Sequence, residues 1–103
     1  MKVSYLPKVT KFIESLSNDL VDKIVSLVDV LEEKNGLLNT LNSKSFGKGL
    51  FELILVGSVN IRVFYCFHKD TIYLLHGIIK KTRKTPKREI EFARKIKKVV
   101  EQL

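Results

Sequence analysis

The chain has 103 residues, the length of one small domain, and 45% of them are hydrophobic, enough for a folded core and too many for a disordered basic tail. It carries 19 Lys and Arg against 11 Asp and Glu, a net charge of +8. The single cysteine, Cys66, excludes a disulfide framework and a cysteine-based zinc site, and no run of about 18 apolar residues is present to span a membrane. Met1–Phe12 lacks the apolar run of a signal peptide. These features predict a soluble, cytoplasmic, single domain over residues 1–103 with mixed secondary structure.

Met1–Leu6 alternates weakly and reads as a short strand. Pro7 suits the first turn of a helix, and Val9, Phe12, Ile13 and Leu16 follow at helical spacing. Ser17 or Asn18 then caps a second helix, whose apolar stripe is Leu20, Ile24, Leu27, Val28 and Leu31. Asn35-Gly36 closes it as a left-handed C-cap. The two helices form a helical hairpin. Leu37–Lys48 reads as a loop.

The period then changes. Leu50–Val56, Ile61–His68 and Thr71–Ile79 are rich in β-branched and aromatic residues, and short connectors join them. They predict an antiparallel meander covered by the helical hairpin. Pairing Val56 with Ile61 places Arg62 opposite Leu55, with Glu52 and Ile54 on the other face, whereas one bulged residue in Gly57–Asn60 reverses this. Thr85-Pro86 is a helix-start signal, a capping hydroxyl before a proline. Ile90, Ala93, Ile96, Val100 and Leu103 then define one side of a basic amphipathic helix.

The charge is localised. Residues 79–103 carry ten Lys or Arg against three Glu, while residues 1–78 carry nine against eight acids. A local basic field attracts a polyanion, and nucleic acid is the first partner to consider. An acidic protein or an anionic membrane surface responds to the same field.

Other chemistry has little support. His68 and His76 lack ligand-spaced partners, so no metal or cofactor site is read. Cys66, between aromatics in a strand, reads as a buried inert thiol. No glycine-rich phosphate loop precedes a helix.

The segment Lys80, Lys81, Arg83, Lys84 puts four cations in five positions between a strand and a helix. Cleavage of RNA without a metal needs a base for the 2′-hydroxyl, a positive charge for the phosphorane and an acid for the leaving oxygen. Lysine is a poor base at its ordinary pKa of about 10.4, but neighbouring cations lower that value. Lys81 is the candidate base, with Lys80 beside it, Arg62 bracing the phosphorane and His76 a second proton carrier. Arg83, Lys84, Lys87 and Arg88 are candidate RNA-phosphate contacts. The alternatives stay open: an Arg62–Glu52 ion pair, a packed and hydrogen-bonded His76, and phosphate binding without catalysis. Sequence alone does not put Arg62 and His76 on one face.

Leu50-Phe51-Glu52-Leu53, Ile61-Arg62-Val63-Phe64-Tyr65, and Leu75-His76-Gly77-Ile78-Ile79-Lys80-Lys81-Thr82-Arg83-Lys84-Thr85-Pro86 with Glu89-Ile90-Glu91 resemble the phage-derived, HigB-like branch of the RelE/ParE toxin superfamily. The likeness runs through residues 8–103 in order and spacing, and the lysine-rich stretch into Thr85-Pro86 is its most specific part. It implies an α+β, RelE-like fold, a small antiparallel sheet packed against the N-terminal helical hairpin with a basic C-terminal helix. It also implies the toxin of a type II toxin–antitoxin pair that cuts messenger RNA on the ribosome. The partners implied are that messenger, the ribosome and a helix-turn-helix antitoxin, with no cofactor. By that likeness Arg62 matches the central-strand arginine and Lys81 the basic residue ending the last strand. One departure stands out. The branch carries a cation straight after its Glu-Leu pair, where this chain has Ile54. That departure favours the alternative of a non-catalytic relative that binds RNA or inhibits a host protein such as gyrase.

Overall fold

The structure, a computed structural model, describes residues 1–35 and 42–103. The chain runs β1 (Lys2–Tyr5), α1 (Pro7–Glu14), α2 (Asn18–Glu33), β2 (Ser43–Gly47), β3 (Leu50–Leu55), β4 (Asn60–His68), β5 (Thr71–Lys80) and α3 (Lys87–Val100). The strands form one sheet in the order β1-β5-β4-β3-β2.

The N-terminal helices start where local chemistry places them. Pro7 occupies the first turn of α1, where its missing N–H costs no hydrogen bond. The Ser17 hydroxyl caps α2 by accepting from the Leu20 N–H at 3.4 Å. Beyond α2, Asn35 takes the left-handed conformation at φ 54°. Gly36 and the first part of the predicted loop, residues 37–41, lie outside the described residues.

The meander β3-β4-β5 is antiparallel as its patterning implies. Lys69 and Asp70, with φ of 48° and 61°, turn β4 into β5 in the primed-turn manner that matches strand twist. Two features correct the sequence reading. Ser43–Gly47, read as loop, is strand β2 on the edge of the sheet, antiparallel to β3. The sheet is also mixed rather than wholly antiparallel, because β1 runs parallel to β5, pairing Lys2 with Thr71 through Tyr5 with Leu74. A parallel neighbour needs a long crossover, and here most of the chain supplies it.

The sheet is covered on both faces. On one, Val9, Ile13, Leu20, Ile24, Val28 and Leu31 of the helical hairpin pack against Leu53, Ile61, Val63, Tyr65, Ile72 and Leu74. On the other, Ala93 and Val100 of α3 close over Leu50, Phe64, Cys66 and Leu75. Each large side chain so buried stabilises the fold by about 1.5–3 kcal/mol relative to exposure. The cover by α3 explains why β4 and β5 are apolar on both sides. Leu103, placed on the apolar side by periodicity, instead lies past the helix and is 61% exposed.

Candidate functional site

Residues paired across an antiparallel ladder share a face. Lys44, Glu52, Phe64 and His76 form one such row, Ile54, Arg62 and Ile78 the next, and Asn60 with Lys80 the last. Phe64 belongs to the core beneath α3, so all three rows lie on that face. The observed pairing of Leu55 with Ile61 is the bulge-shifted alternative rather than the Val56–Ile61 register. It brings Glu52, Ile54 and Arg62 together. A second irregularity puts Arg62 and His76 on the same face. Phe64 pairs with His76 and Tyr65 with Leu74, which leaves Leu75 as an extra residue in β5.

Arg62 is not presented outward. It is 8% exposed, and its Nε lies 3.6 Å from Oε1 of Glu52, itself 1% exposed. The ion-pair reading of Arg62 is therefore the observed one. Its Nη1 donates to the Ile61 carbonyl at 3.1 Å, while Nε, fully buried, makes no hydrogen bond. Glu52 uses its other oxygen to accept from the Thr85 hydroxyl at 2.8 Å. The Thr85 hydroxyl thus ties the strand-to-helix loop down to the sheet and does not cap α3, whose N-cap is Pro86 without a side-chain hydrogen bond.

Above this buried pair lies Lys80, the last residue of β5. Its pKa is held below the ordinary lysine value, chiefly by partial burial and then by the positive Arg62; Glu52 opposes the shift and Lys44 adds to it. Lys80, rather than Lys81, is the lysine that shares a field with Arg62. Lys81 stands one residue beyond the strand and is exposed, as are Arg83 and Lys84. In the same loop the Thr82 hydroxyl donates to the Lys84 carbonyl at 2.6 Å. Lys87 and Arg88, in the first turn of α3, are exposed and approach Glu91 at 4.0 Å and Glu89 at 3.8 Å.

His76 is packed. Its ring stacks on Phe64 at 5.8 Å, meets Phe92 edge-on at 4.8 Å, and its Nε2 lies 2.8 Å from Oε1 of Glu89. This contact ties α3 to β5. Cys66 is buried, and its thiol is pushed up to about 11, first by burial, with Lys97 opposing and Glu101 adding. A thiol so raised is unreactive near neutrality.

Sequence reasoning missed Lys44, because it lay in a segment read as loop, and Thr85 as a partner of Glu52. For the first the sequence carries no clear strand signal, because Phe46 is the one large apolar residue of β2. For the second there was none, since 33 residues separate the two groups.

A mixed five-stranded sheet between two helical layers, with a cationic end floored by a buried Arg–Glu pair, defines a small α+β protein built around one charged sheet end. The chain belongs to a phage-derived family: the family model described as Phage derived protein Gp49-like (DUF891) matches residues 11–98. That family is commonly one of RelE-like toxins from toxin–antitoxin systems. No curated protein and no solved structure matches the chain. No helix among the described residues is long and apolar enough to cross a membrane.

Proposed function

We propose that this chain is a HigB-like toxin of a type II toxin–antitoxin pair, acting in the cytoplasm as a ribosome-dependent messenger-RNA endonuclease. The observation that carries the reading is Lys80 held beside the buried Arg62 at the cationic end of the sheet, with its pKa lowered there. Neutral Lys80 takes the proton of a ribose 2′-hydroxyl. The 2′-oxygen attacks the adjacent phosphorus, and the phosphorane charge is stabilised by the Arg62 field. The bond to the 5′-oxygen breaks, that oxygen takes a proton from a protonated lysine such as Lys81, and a 2′,3′-cyclic phosphate remains. Arg83, Lys84, Lys87 and Arg88 hold the flanking phosphates. His76, clasped by Glu89, keeps the N-terminus of α3 against the sheet and stands as a reserve proton carrier.

A second reading has its own observation. Ile54 sits opposite Arg62 where the resemblance calls for a cation, and Glu52 already offsets Arg62. This favours a non-catalytic relative that binds RNA or inhibits a host protein such as gyrase.

Induced expression tests the two, comparing the native chain with Lys80→Ala and Lys80→Arg, exposed enough to leave the fold intact. Growth arrest with messengers cut at codon boundaries, lost in both variants, supports the nuclease. Arrest with intact messengers and broken DNA supports the gyrase route and sinks the nuclease. A folded chain that causes no arrest sinks the toxin reading.

A further inference from the structure

The edge strand β2 brings to the charged end of the sheet a cation that the proposed reaction does not use. Lys44 pairs across the ladder with Glu52, which places it on the α3 face in the row of Phe64 and His76. Glu52 is nevertheless no partner for it. One carboxylate oxygen faces Arg62 and the other accepts from Thr85. Lys44 is exposed and rests with its Nζ 5.2 Å from the centre of the Phe46 ring. A cation on an aromatic face in water is weakly held, and a flexible lysine stem turns readily toward an anion. Its charge already spans the site: after burial and Arg62, Lys44 is the remaining group that lowers the Lys80 pKa, against Glu52.

Metal-independent cleavage needs such a cation in contact with the phosphate. Arg62 is 8% exposed and offset by Glu52, so it supplies a field rather than a contact. Lys80 acts as a base only when neutral, and a neutral amine does not balance an anion. Ile54, diagonal to Lys44 on the same face, carries no charge. We propose that Lys44 binds a non-bridging oxygen of the scissile phosphate, closing on it from β2 as Lys80 approaches the 2′-hydroxyl from β5. The assignment rests on the nuclease reading. Lys44 stays protonated throughout and only donates hydrogen bonds; no covalent bond to it forms or breaks. As the 2′-oxygen joins phosphorus, negative charge gathers on the non-bridging oxygen and the contact strengthens. The contribution of Lys44 therefore falls on the cleavage step rather than on binding.

Single-turnover cleavage of a message on programmed ribosomes tests it. The full native chain is compared with Lys44→Ala, Lys44→Arg, and Lys44→Ala combined with Ile54→Lys, each checked for native thermal unfolding. Lys44→Ala should slow saturated cleavage about 100-fold, the loss that follows removal of one group stabilising a developing oxyanion, and leave half-saturation unchanged. Lys44→Arg should keep most of the rate. Ile54→Lys should return part of it, because it restores a cation to the same face. Sulfur in place of one non-bridging oxygen gives a readout that a structural role would not move. One of the two diastereomers should slow the native chain and add little to the loss in Lys44→Ala. Native-rate cleavage by Lys44→Ala overturns the proposal and leaves the nuclease standing. So does a loss confined to half-saturation with the sulfur effect intact, which makes Lys44 one more flanking-phosphate contact. A native chain that leaves the message uncut sinks the nuclease reading, and the assignment falls with it.

Discussion

Glu52 is the residue on which the charged end turns. Its two oxygens serve different elements: one faces the guanidinium of Arg62 on β4, the other accepts from Thr85 in the loop before α3. Glu52→Ala leaves Arg62 buried without a counter-charge. Removing one partner of a buried pair costs about 3–5 kcal/mol, and the penalty comes from the stranded charge rather than from the lost attraction. The urea midpoint should fall accordingly, and Glu52→Leu combined with Arg62→Met should recover much of the loss. An unchanged midpoint in Glu52→Ala would show the pair to be solvated. Lys80 gives the pH counterpart. Its pKa is lower in the folded chain than in the unfolded one, so the unfolded chain binds more protons between the two values, and stability rises with pH across that window. The penalty on protonated Lys80 is full below its folded pKa and gone above the ordinary lysine value. If neutral Lys80 is the base, single-turnover RNA cleavage climbs with pH to a shoulder below that ordinary value. Lys80→Arg, which does not deprotonate, should lack the shoulder.

At the level of elements, α1 is held to the sheet by an unusually close approach. A Cβ built on Gly77 of β5 would overlap the Phe12 ring at its Cδ2 and Cε2. Gly77→Ala therefore forces the Phe12 ring aside and should destabilise the chain by about 1–3 kcal/mol, as overpacking does. Adding Phe12→Leu should return part of that loss, and strict additivity of the two changes in thermal unfolding would disprove the contact. The elements that sequence reveals are those with local signals. Pro7 and Ser17 mark the starts of α1 and α2, and the β-branched runs mark the meander. Strand β2 lacks such a signal: in Ser43–Gly47 only Phe46 is a large apolar residue, and edge position rather than propensity makes the segment a strand. The parallel pairing of β1 with β5 joins residues about seventy positions apart and is written in no local pattern. The candidate site shows the same division. Its cations were readable as a cluster, but which lysine meets Arg62 depends on a register shifted by one residue, and a one-residue slip reverses every side chain.

For the whole molecule, the +8 charge is divided between internal and external work. Arg94 spends its guanidinium on the carbonyls of Phe46 and Gly47, pinning the β2–β3 turn to α3, and Lys97 pairs with Glu101 at 2.9 Å. Arg62 is matched by Glu52. The cations left facing solvent around the proposed RNA track are Lys44, Lys81, Arg83, Lys84, Lys87 and Arg88. Each phosphate such a group neutralises on a single strand releases counterions and adds about 0.7 to the slope of log affinity against log salt. Replacing Arg83 and Lys84 by alanine should therefore weaken binding of a messenger-length single strand and lower that slope by about 1.4, whatever the sequence of the strand. Fluorescence anisotropy across a salt series reads both quantities. Replacing Lys95 instead, about two turns further along α3 from Arg88, should leave the slope alone. A slope that falls equally for both changes would mean that RNA follows the long axis of α3 and that the charged end of the sheet has no privileged hold on it.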